Sequence, residues 1–532
     1  MKQLLLTICI ALTALTTVQA QRKPLNQEAR KLSMALYAIS NLYVDSVDNG
    51  KVVEDAIVGM LEKLDPHSNY MDVEETKQMT EPLVGNFDGI GIQFNLLTDT
   101  LYVIQVIPGG PSEKVGLLAG DRILAVDDTI ISGVDMKTPD IMRRLRGKKG
   151  TAVHVKVQRG TTNPELIEFK IIRDKIPIYS LDASYMLDKK TGYIKLNRFA
   201  STTADEFRDA LKELQAEGME QLILDLQYNG GGYLNIAIEL ADEFLKKDQL
   251  IVYTEGDKQP KSEAKATNKG AFESGRLVVL VDESSASASE IVAGAVQDWD
   301  RGVIVGRRTF GKGLVQKPIP LPDGSMMRLT VARYYTPTGR SIQKPYEKGD
   351  KELYDRELIE RYNNGELIHA DSVHFPDSLK YNTLENRRVV YGGGGVMPDK
   401  FIPVDTTRFT DYHRELLAKG VINRFTMNYI DKHRAELTRK YTNIKSYQTK
   451  FEITDALVQE LKALAETEKI VFNEAEYKKS LPLIKLQIKA LIARDLFEMN
   501  EYFIIMNQQD ESLKEALRII NSSKEYNKLL GN

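Results

Sequence analysis

The sequence alternates between short apolar runs and longer segments with apolar residues at helical spacing, most regularly between residues 190 and 306. Consecutive apolar residues predict buried strands, and apolar residues three and four positions apart predict amphipathic helices. The pattern predicts strands over 192–197, 222–226, 277–281 and 302–306, and helices over 201–217, 234–245 and 290–299. Alternating strands and helices form parallel or mixed sheets covered by helices, which bind ligands at the carboxyl ends of their strands.

Other parts of the chain follow different patterns. Residues 25–64 and the chain from 408 onward have apolar residues at helical spacing and predict helices. Between residues 85 and 174, glycine-rich turns separate short runs, which predicts a small β domain. The predicted fold class is multidomain α/β, with N-terminal helices, a β domain, a mixed-sheet α/β core and a helical C-terminal domain. A length of 532 residues is consistent with roughly three or four domains.

The first twenty residues predict a secretory signal peptide. Lys2 precedes an apolar run from 4 to 18, and Ala20 is a small residue suited to cleavage. An anchoring helix is disfavoured because this run is shorter than the ~20 residues needed to span a bilayer. Cys9 does not predict a lipoprotein, because the residue before it, Ile8, is not small. We expect a soluble protein exported to a bacterial periplasm, with no stable membrane span.

Composition narrows the functional classes. A net charge of −3 gives no basic surplus, so nucleic acid is not an expected partner. The chain has one cysteine, which lies in the predicted signal peptide, so the mature chain has no disulfide and no cysteine nucleophile. Six histidines without ligand spacing predict no metal site.

A serine and a lysine stand where the predicted core would bring them together. Ser287 follows one core strand and opens the next helix, and Lys312 stands between two glycines after the following strand. A serine hydroxyl needs a base, and a lysine serves when burial or neighbouring cations lower its pKa. Arg307 and Arg308 are the candidate cations, and the N–H of Ala288 is a natural oxyanion donor.

Each of these features also has a structural interpretation. Ser287 and Glu290 match the S-x-x-E capping box, in which the serine only caps the helix. Lys312 by itself is typical of a solvated surface charge. Three glycines at 230–232 are typical of a tight turn, and a phosphate cradle is disfavoured because no G-K-[ST] follows them.

The wider segment resembles a known active site. The runs S-A-S-A-S-E at 285–290, Q-D at 297–298 and T-F-G-K-G-L-V-Q at 309–316 resemble the C-terminal processing peptidases, also called tail-specific proteases. Ser287 and Lys312 lie 25 residues apart, which agrees with that family's spacing. The resemblance implies that Ser287 is the nucleophile, Lys312 the general base and Gln316 the residue that orients the lysine.

The resemblance also implies a second oxyanion donor. In this family the glycines of an R-N-N-P-G-G loop supply it, and the corresponding loop here has Gln227 and Gly230 in place of the arginine and the proline. The amide of either Gly231 or Gly232 is predicted to serve, and the sequence leaves the choice open.

The β domain resembles a PDZ domain. Gly89, Ile90, Gly91 and Ile92 would form its carboxylate-binding loop and strand, since exposed amides of a glycine loop capture a terminal carboxylate and the strand edge pairs with the peptide. A small β domain that binds nothing is the alternative. L-D-P-H-S at 64–68 resembles the segment before the PDZ domain in the same family, where its role is structural. No partner at ligand spacing supports a catalytic or metal role for His67.

The predicted organisation has five parts. They are the signal peptide at 1–20, an N-terminal helical region at 21–84, the PDZ-like domain at 85–175, an α/β protease core at 176–404 and a helical C-terminal domain at 405–532. Residues 346–390 are charged and weakly patterned, which predicts an inserted, solvent-exposed excursion. Dimerisation, docking of a partner and shaping of a substrate vault are all open for the helical domain.

The resemblance spans residues 25–404 and implies an exported serine endopeptidase. Such an enzyme binds the C-terminal tails of unfolded or tailed protein substrates and cleaves peptide bonds with a Ser-Lys dyad, without a metal or other cofactor. A homodimer and an adaptor protein are open as partners. The alternative is a catalytically silent PDZ-containing binding or scaffold protein, disfavoured because Ser287 and Lys312 are both present. An esterase or amidase on small molecules would have no use for a peptide-binding domain.

Overall fold

The computed structural model describes residues 26–97, 99–160 and 164–532. The predicted signal peptide, residues 1–20, lies outside these described residues. No helix in the described part of the chain is long and apolar enough to cross a membrane.

The N-terminal region supplies helices and one strand. Asp48 caps the second helix, and Asp72 and Glu75 form a capping box at the third, which ends at Gly85 in the left-handed conformation. The elements are α1 Gln27–Leu42, α2 Asn49–Leu61, β1 Asn69–Met71 and α3 Val73–Val84. Since β1 pairs with a strand of the α/β core, this region is joined to that core.

The β domain has a six-stranded sheet with two short helices. Its elements are β2 Asn86–Gly89, β3 Ile92–Leu97, β4 Thr100–Val106, α4 Pro111–Lys114, β5 Arg122–Val126, β6 Thr129–Ile130, α5 Thr138–Leu145, β7 Ala152–Arg159, β8 Glu165–Ile172 and β9 Asp174–Pro177. The sheet has the order β3-β4-β5-β7-β8, with β6 on β5, while β2 pairs with β9. Gly91, at φ +77°, lies between β2 and β3.

The α/β core contains the predicted mixed sheet. Its elements are β10 Leu181–Met186, β11 Thr191–Leu196, α6 Thr203–Ala216, β12 Gln221–Asp225, α7 Leu234–Asp242, β13 Leu250–Gly256, β14 Gln259–Lys265, β15 Leu277–Val281, α8 Ala288–Asp298, β16 Val303–Gly306, β17 Leu314–Pro320 and β18 Met326–Tyr335. The first five strands of the central sheet have the order β10-β11-β12-β15-β16. Only β10 runs antiparallel to its neighbour. A second sheet has the order β1-β18-β13-β14, with β17 on β18.

The segment after β18 includes one helix that packs closely on the core. Its elements are α9 Lys351–Asn363, two short 3-10 turns, β19 Lys380–Asn382, β20 Val389–Tyr391 and β21 Lys400–Phe401, the last strand of the central sheet. Tyr354 and Arg361 of α9 are buried, at 3% and 2% exposure. The prediction of a wholly solvent-exposed excursion is therefore wrong for this helix.

The C-terminal region forms two packed groups of helices. Its elements are α10 Asp411–Ala418, α11 Val421–Lys440, α12 Ile444–Lys450, α13 Asp455–Thr467, α14 Glu474–Leu496, α15 Met499–Met506, a short 3-10 turn, α16 Glu511–Asn521 and α17 Ser523–Leu529. Helices α10 to α15 share one apolar core. Helices α16 and α17 instead cover the second face of the central sheet, where Ile519 and Tyr526 pack with Val278 and Val303. Helices α16 and α17 thus complete the α/β core.

The β domain rests on the C-terminal helices. Arg122 of β5 donates to Asp431 of α11 at 3.2 Å, and both side chains are largely buried. Arg434 also donates to the carbonyl of Ala119. The architecture of N-terminal helices, β domain, mixed-sheet core and C-terminal helices confirms the predicted fold class.

Candidate active site

Ser287 lies on the loop between β15 and α8, at the carboxyl edge of the central sheet, as the sequence predicts. Its backbone has φ +56° and ψ −110°, a region that few residues other than glycine adopt. Strained backbone of this kind occurs where the surrounding structure holds it, often at active sites. Ser287 is also the N-cap residue of α8, so the predicted capping box is present.

Glu290 connects the serine to the lysine. This fully buried carboxylate accepts the N–H of Ser287 at 2.8 Å and the N–H of Lys312 at 2.9 Å through the same oxygen. Its other oxygen accepts from the N–H of Gly311 and the hydroxyl of Thr309. Burial raises the pKa of Glu290 to about 7, and the four donors act in the opposite direction. Glu290 therefore holds the nucleophile loop and the lysine loop in one arrangement.

Lys312 has the electrostatic environment that a lysine base requires. Burial and, after it, the positive charge of Arg328 on β18 lower its pKa to about 8, against the opposing effects of Glu290 and Asp65. A lysine with this pKa is partly neutral near neutral pH, so its nitrogen can accept a proton.

The two arginines predicted to lower the pKa of Lys312 do not do so. Arg307 pairs with Glu283 at 2.5 Å, and Arg308 pairs with Glu366 at 2.6 Å. Both are neutralised by carboxylates, whereas Arg328, sixteen residues after Lys312 in the sequence, provides the cation. The pairing of β17 with β18 brings Arg328 to the site, and sequence proximity carries no such information.

All six residues predicted for the dyad and the oxyanion hole line one cavity of about 520 Å³. They are Ser287, Lys312, Gln316, Ala288, Gly231 and Gly232. Helix α3 contributes Met79 and Leu83 to another wall of this cavity. A cavity of this size admits a segment of a larger substrate.

The backbone amides distinguish between the two glycines. Gly231 donates its N–H to Asn229 Oδ1 at 2.9 Å. In the described part of the chain, no acceptor takes the N–H of Gly232 or of Ala288. A Cβ on Gly231 would lie 2.8 Å from Ser287 Cβ, so the glycine loop packs directly against Ser287. Sequence reasoning missed Asn229, whose buried side chain also donates to Leu196 O at 2.9 Å.

Gln316 lies on β17, where the ladder with β18 shifts by one residue between Val315 and Gln316. Its side-chain nitrogen donates to the carbonyl of Leu314 at 3.1 Å and lies 3.4 Å from Thr330 Oγ1. The amide therefore shares the cavity with Lys312 but is engaged by its own strands. A role in orienting the lysine stays a prediction.

The segment at 65–68 lies closer to the lysine than the sequence indicated. Asp65 accepts from the N–H groups of His67 and Ser68 and from Thr330 Oγ1 on β18. Burial and, after it, the charge of Lys312 lower the pKa of His67 to about 3. The only signal available from sequence was the resemblance of the segment, which implied a structural role.

The β domain has a groove of about 340 Å³ between β3 and α5. Ile90, Gly91 and Ile92 line it as predicted, whereas Gly89 pairs with Asp174 at the end of β2 and lies outside the lining. Strand β3 is at the edge of its sheet, so its outer side is open to an added strand. Sequence reasoning missed the opposite wall, which consists of Thr138, Met142, Leu145 and Arg146.

A third cavity, of about 500 Å³, shares lining residues with both the groove and the active-site cavity. It shares Phe87, Ile92 and Gln93 with the groove and Asn197 and Arg198 with the active-site cavity. Its far wall comes from the start of α15, at Glu498, Met499 and Asn500. The three cavities are therefore neighbours along one side of the molecule, with lining residues in common.

No group of His, Cys, Asp and Glu suited to a metal ion occurs among residues 26–97, 99–160 and 164–532. The candidate chemistry is that of the serine and the lysine.

Four family models match the chain. Peptidase family S41 matches residues 190–351, a PDZ domain 89–171, the activating protease CtpB N-terminal domain 10–76, and a family of unknown function 412–498. The PDZ match confirms the predicted resemblance of the β domain.

Curated relatives agree with these matches. The carboxy-terminal-processing protease of Bartonella bacilliformis is 39% identical over 57% of this chain and 69% of its own length. The carboxy-terminal processing protease CtpB of Bacillus subtilis is 38% identical over 59% of this chain and 65% of its own length. A solved photosystem II D1 C-terminal processing protease is 29% identical, covers 58% of this chain and 89% of its own, and has a TM-score of 0.33. This chain belongs to the C-terminal processing peptidases of family S41, as the sequence predicted.

Proposed function

We propose that this protein is an exported serine endopeptidase that cleaves proteins with a Ser287–Lys312 dyad. The observation that carries the proposal is that Glu290 binds the backbone N–H groups of both Ser287 and Lys312, which line the same cavity. The pKa of this lysine is about 8. A capping box accounts for the bond from Ser287 to Glu290 but not for the bond that the same carboxylate accepts from Lys312, and a solvated lysine would not have the lowered pKa.

In the proposed reaction, Lys312 Nζ in its neutral form takes the proton of Ser287 Oγ while the oxygen attacks the scissile carbonyl carbon. The carbonyl π bond opens and its electron pair moves to the oxygen. When the tetrahedral intermediate collapses, the C–N bond breaks and the lysine gives its proton to the leaving amine. Water then hydrolyses the acyl-enzyme by the same steps in reverse order, with Lys312 again as base.

The negative oxygen of the intermediate requires amide donors. Ala288, at the first turn of α8, and Gly232, in the glycine loop, have N–H groups without acceptors in the described part of the protein. We assign these two amides to the oxyanion, since the N–H of Gly231 is bound to Asn229. Loss of one oxyanion donor typically costs about 10²–10³ in kcat.

The groove of the PDZ domain is the proposed site for the substrate's C-terminal tail. Its lining is largely apolar, with Ile90, Ile92, Phe94, Met142 and Leu145, so we expect an apolar last residue. The passage through the third cavity would carry the preceding residues to Ser287. A folded domain does not fit in such a passage, so an unfolded or tailed protein is the expected substrate.

Export is proposed from residues 1–20 alone, whose composition is that of a secretory signal peptide. Periplasmic localisation follows if the source is a bacterium with two membranes. Fractionation of cells that express the full chain, with N-terminal sequencing of the product, tests cleavage after Ala20.

The experiment that tests the proposed function uses the chain from residue 21, an unfolded protein with an apolar C-terminal tail, and mass spectrometry of the products. Wild-type protein is expected to cleave, and Ser287→Ala and Lys312→Ala are expected to be inactive. Ser284→Ala, in the same loop, and Lys317→Ala, on β17, are the matched controls, which should retain activity.

Equal behaviour of all five proteins contradicts the dyad. If none cleaves but each binds the tail, the catalytically silent scaffold becomes the supported function. Binding is measured by fluorescence anisotropy of a labelled tail peptide.

A further inference from the structure

Tyr354 connects the helix α9 to the active-site region. The residue is 3% exposed, and its hydroxyl lies 2.9 Å from His67 Nε2 and 3.3 Å from Gln343 Nε2. Its ring meets the His67 ring edge to face, with centroids 5.0 Å apart, and the Phe310 ring at 6.0 Å. A residue in a segment predicted to be solvent-exposed thus packs beside the lysine loop.

The hydrogen bonds around Tyr354 assign the state of His67. Gln343 Nε2 is a donor, so it uses a lone pair of the tyrosine oxygen and leaves the hydroxyl proton for His67 Nε2. We assign His67 as the neutral tautomer with its proton on Nδ1, on the basis of this network. Burial, which lowers the pKa of His67 to about 3, agrees with a neutral ring.

The same tyrosine is linked to the backbone on both sides of Lys312. Gln343 Oε1 accepts the N–H of Gly313 at 2.8 Å, and the N–H of Lys344 donates to Gly311 O at 2.9 Å. Lys344 Nζ in turn donates to Tyr354 O at 3.1 Å. The two glycines that flank the lysine are therefore tied to the segment that Tyr354 anchors.

His67 belongs to a second set of contacts that reaches Gln316. The N–H of His67 donates to Asp65 Oδ1 at 2.9 Å, which also accepts from Thr330 Oγ1 at 2.9 Å. Thr330 Oγ1 lies 3.4 Å from Gln316 Nε2. Segment 65–68 and α9 thus support the lysine site from two directions.

Several charges act on this region. Lys312 is influenced by Arg328 on β18, Glu290 on α8 and Asp65 before β1. His67 is influenced by Lys312, Asp65, Arg328 and Lys344. A neutral His67 adds no further positive charge to this region.

We propose that Tyr354 and His67 are positioning residues for the lysine base: the tyrosine hydroxyl holds the imidazole neutral and in place, and the pair closes the back of the lysine site. This inference rests on the proposed function of Lys312, and it assigns a role to helix α9 of the inserted segment. Neither residue touches the substrate or takes part in proton transfer.

The test compares Tyr354→Phe with Tyr346→Phe. The Tyr346 ring packs on Tyr354 at 6.4 Å, and its hydroxyl has no hydrogen-bond partner within the described residues, so the control removes the same atom without losing a bond. Tyr354→Phe is expected to lower kcat on a short unfolded peptide about tenfold. KM is expected to stay unchanged. The rise of activity with pH should move to higher pH, because better hydration of Lys312 raises its pKa. Tyr346→Phe is expected to match wild type.

A readout without turnover separates this inference from the proposed function. The titration of Lys312 is followed by NMR of ¹³C-labelled lysine, assigned with Lys312→Arg. The midpoint is expected to be higher in Tyr354→Phe than in wild type, and an unchanged midpoint overturns the inference even if wild type is an active protease. If Tyr354→Phe does not fold, His67→Gln, which keeps an acceptor, is measured against His67→Ala; equal midpoints in these two variants also overturn it.

Discussion

Glu290 accepts the backbone N–H of Lys312 at 2.9 Å, from the first turn of the helix that Ser287 opens. Ser287 and Lys312 lie on different loops, after β15 and β16, and this carboxylate joins them. The capping box and the proposed dyad therefore share one residue: Glu290, which completes the capping box, also positions the backbone of Lys312.

Glu290→Gln should damage both stability and catalysis. One carboxylate oxygen becomes an NH₂ group that faces two N–H or O–H donors. Each buried donor left without an acceptor lowers the free energy of unfolding by about 1–3 kcal/mol. Thermal unfolding is expected at lower temperature, and labelling of Ser287 by a fluorophosphonate is expected to slow at least tenfold. Glu213→Gln, on the exposed face of α6, is the control. Labelling at the wild-type rate would contradict the role given to Glu290.

The pH dependence of activity should report the pKa of Lys312. Since the base must be neutral and its pKa is about 8, kcat/KM on a short peptide is expected to rise as the pH increases through about 8. Arg328→Gln removes a positive charge that disfavours protonation of the lysine. The pKa of Lys312 should then increase, and the rise should move up by about one pH unit.

Arg333→Gln serves as the control for that measurement, because Arg333 is exposed on the same strand. Arg328→Lys is expected to keep most of the wild-type profile. A profile that is identical in Arg328→Gln and wild type would show that Arg328 does not act on the base.

Asp298→Asn tests a motif whose role is structural. Asp298 and Arg340 form an ion pair at 2.8 Å, and both side chains are completely buried. Removing one charge leaves the other buried and unpaired, which costs about 3–5 kcal/mol. Urea unfolding should show this loss of stability. At temperatures where the variant stays folded, its kcat is expected to remain within a fewfold of wild type, and a selective loss of kcat in folded protein would instead indicate a catalytic role.

Met142→Glu tests binding of the tail in the PDZ groove. The new carboxylate would lie in an apolar groove and repel the terminal carboxylate of the substrate. KM for a tailed protein is expected to increase about tenfold, with no change for a short peptide that enters the active-site cavity directly. Val134→Glu, at an exposed site of the same domain, is the control. An equal effect on both substrates would argue against a separate tail site.

Met499→Trp tests the passage that joins the groove to the active site. The larger side chain narrows the third cavity at its α15 wall. Cleavage of the tailed protein should slow about tenfold while the short peptide is cleaved normally. Val471→Trp, at an exposed position of the same helical region, should behave as wild type. Normal cleavage of both substrates would exclude this route.

Much of the fold follows from local pattern. The strand predicted at 277–281 is observed with the same bounds, and the helix predicted at 290–299 is observed as Ala288–Asp298. Runs of valine and leucine specify buried strands because such side chains gain most by leaving water. Ser287, Lys312 and Gln316 were identifiable because they belong to one contiguous, specific motif.

Contacts between distant segments were not predictable in the same way. Arg328 is near Lys312 only because β17 pairs with β18, and Tyr354 meets His67 across 287 positions of sequence. The burial of α9 was not predicted either, because a highly charged helix is typical of a solvent-exposed segment. Its Arg361 is buried because it donates to the carbonyl groups of Arg308 and Thr309.

The sequence by itself determined the strands, the helices and the candidate catalytic residues, because side-chain periodicity and a contiguous motif are local properties. Only the tertiary structure decided which charges surround Lys312, which glycine amide is left without an acceptor, and which residues line the three neighbouring cavities. These depend on pairing and packing between segments far apart in the chain, where desolvation and hydrogen bonding are set by the neighbours that folding supplies.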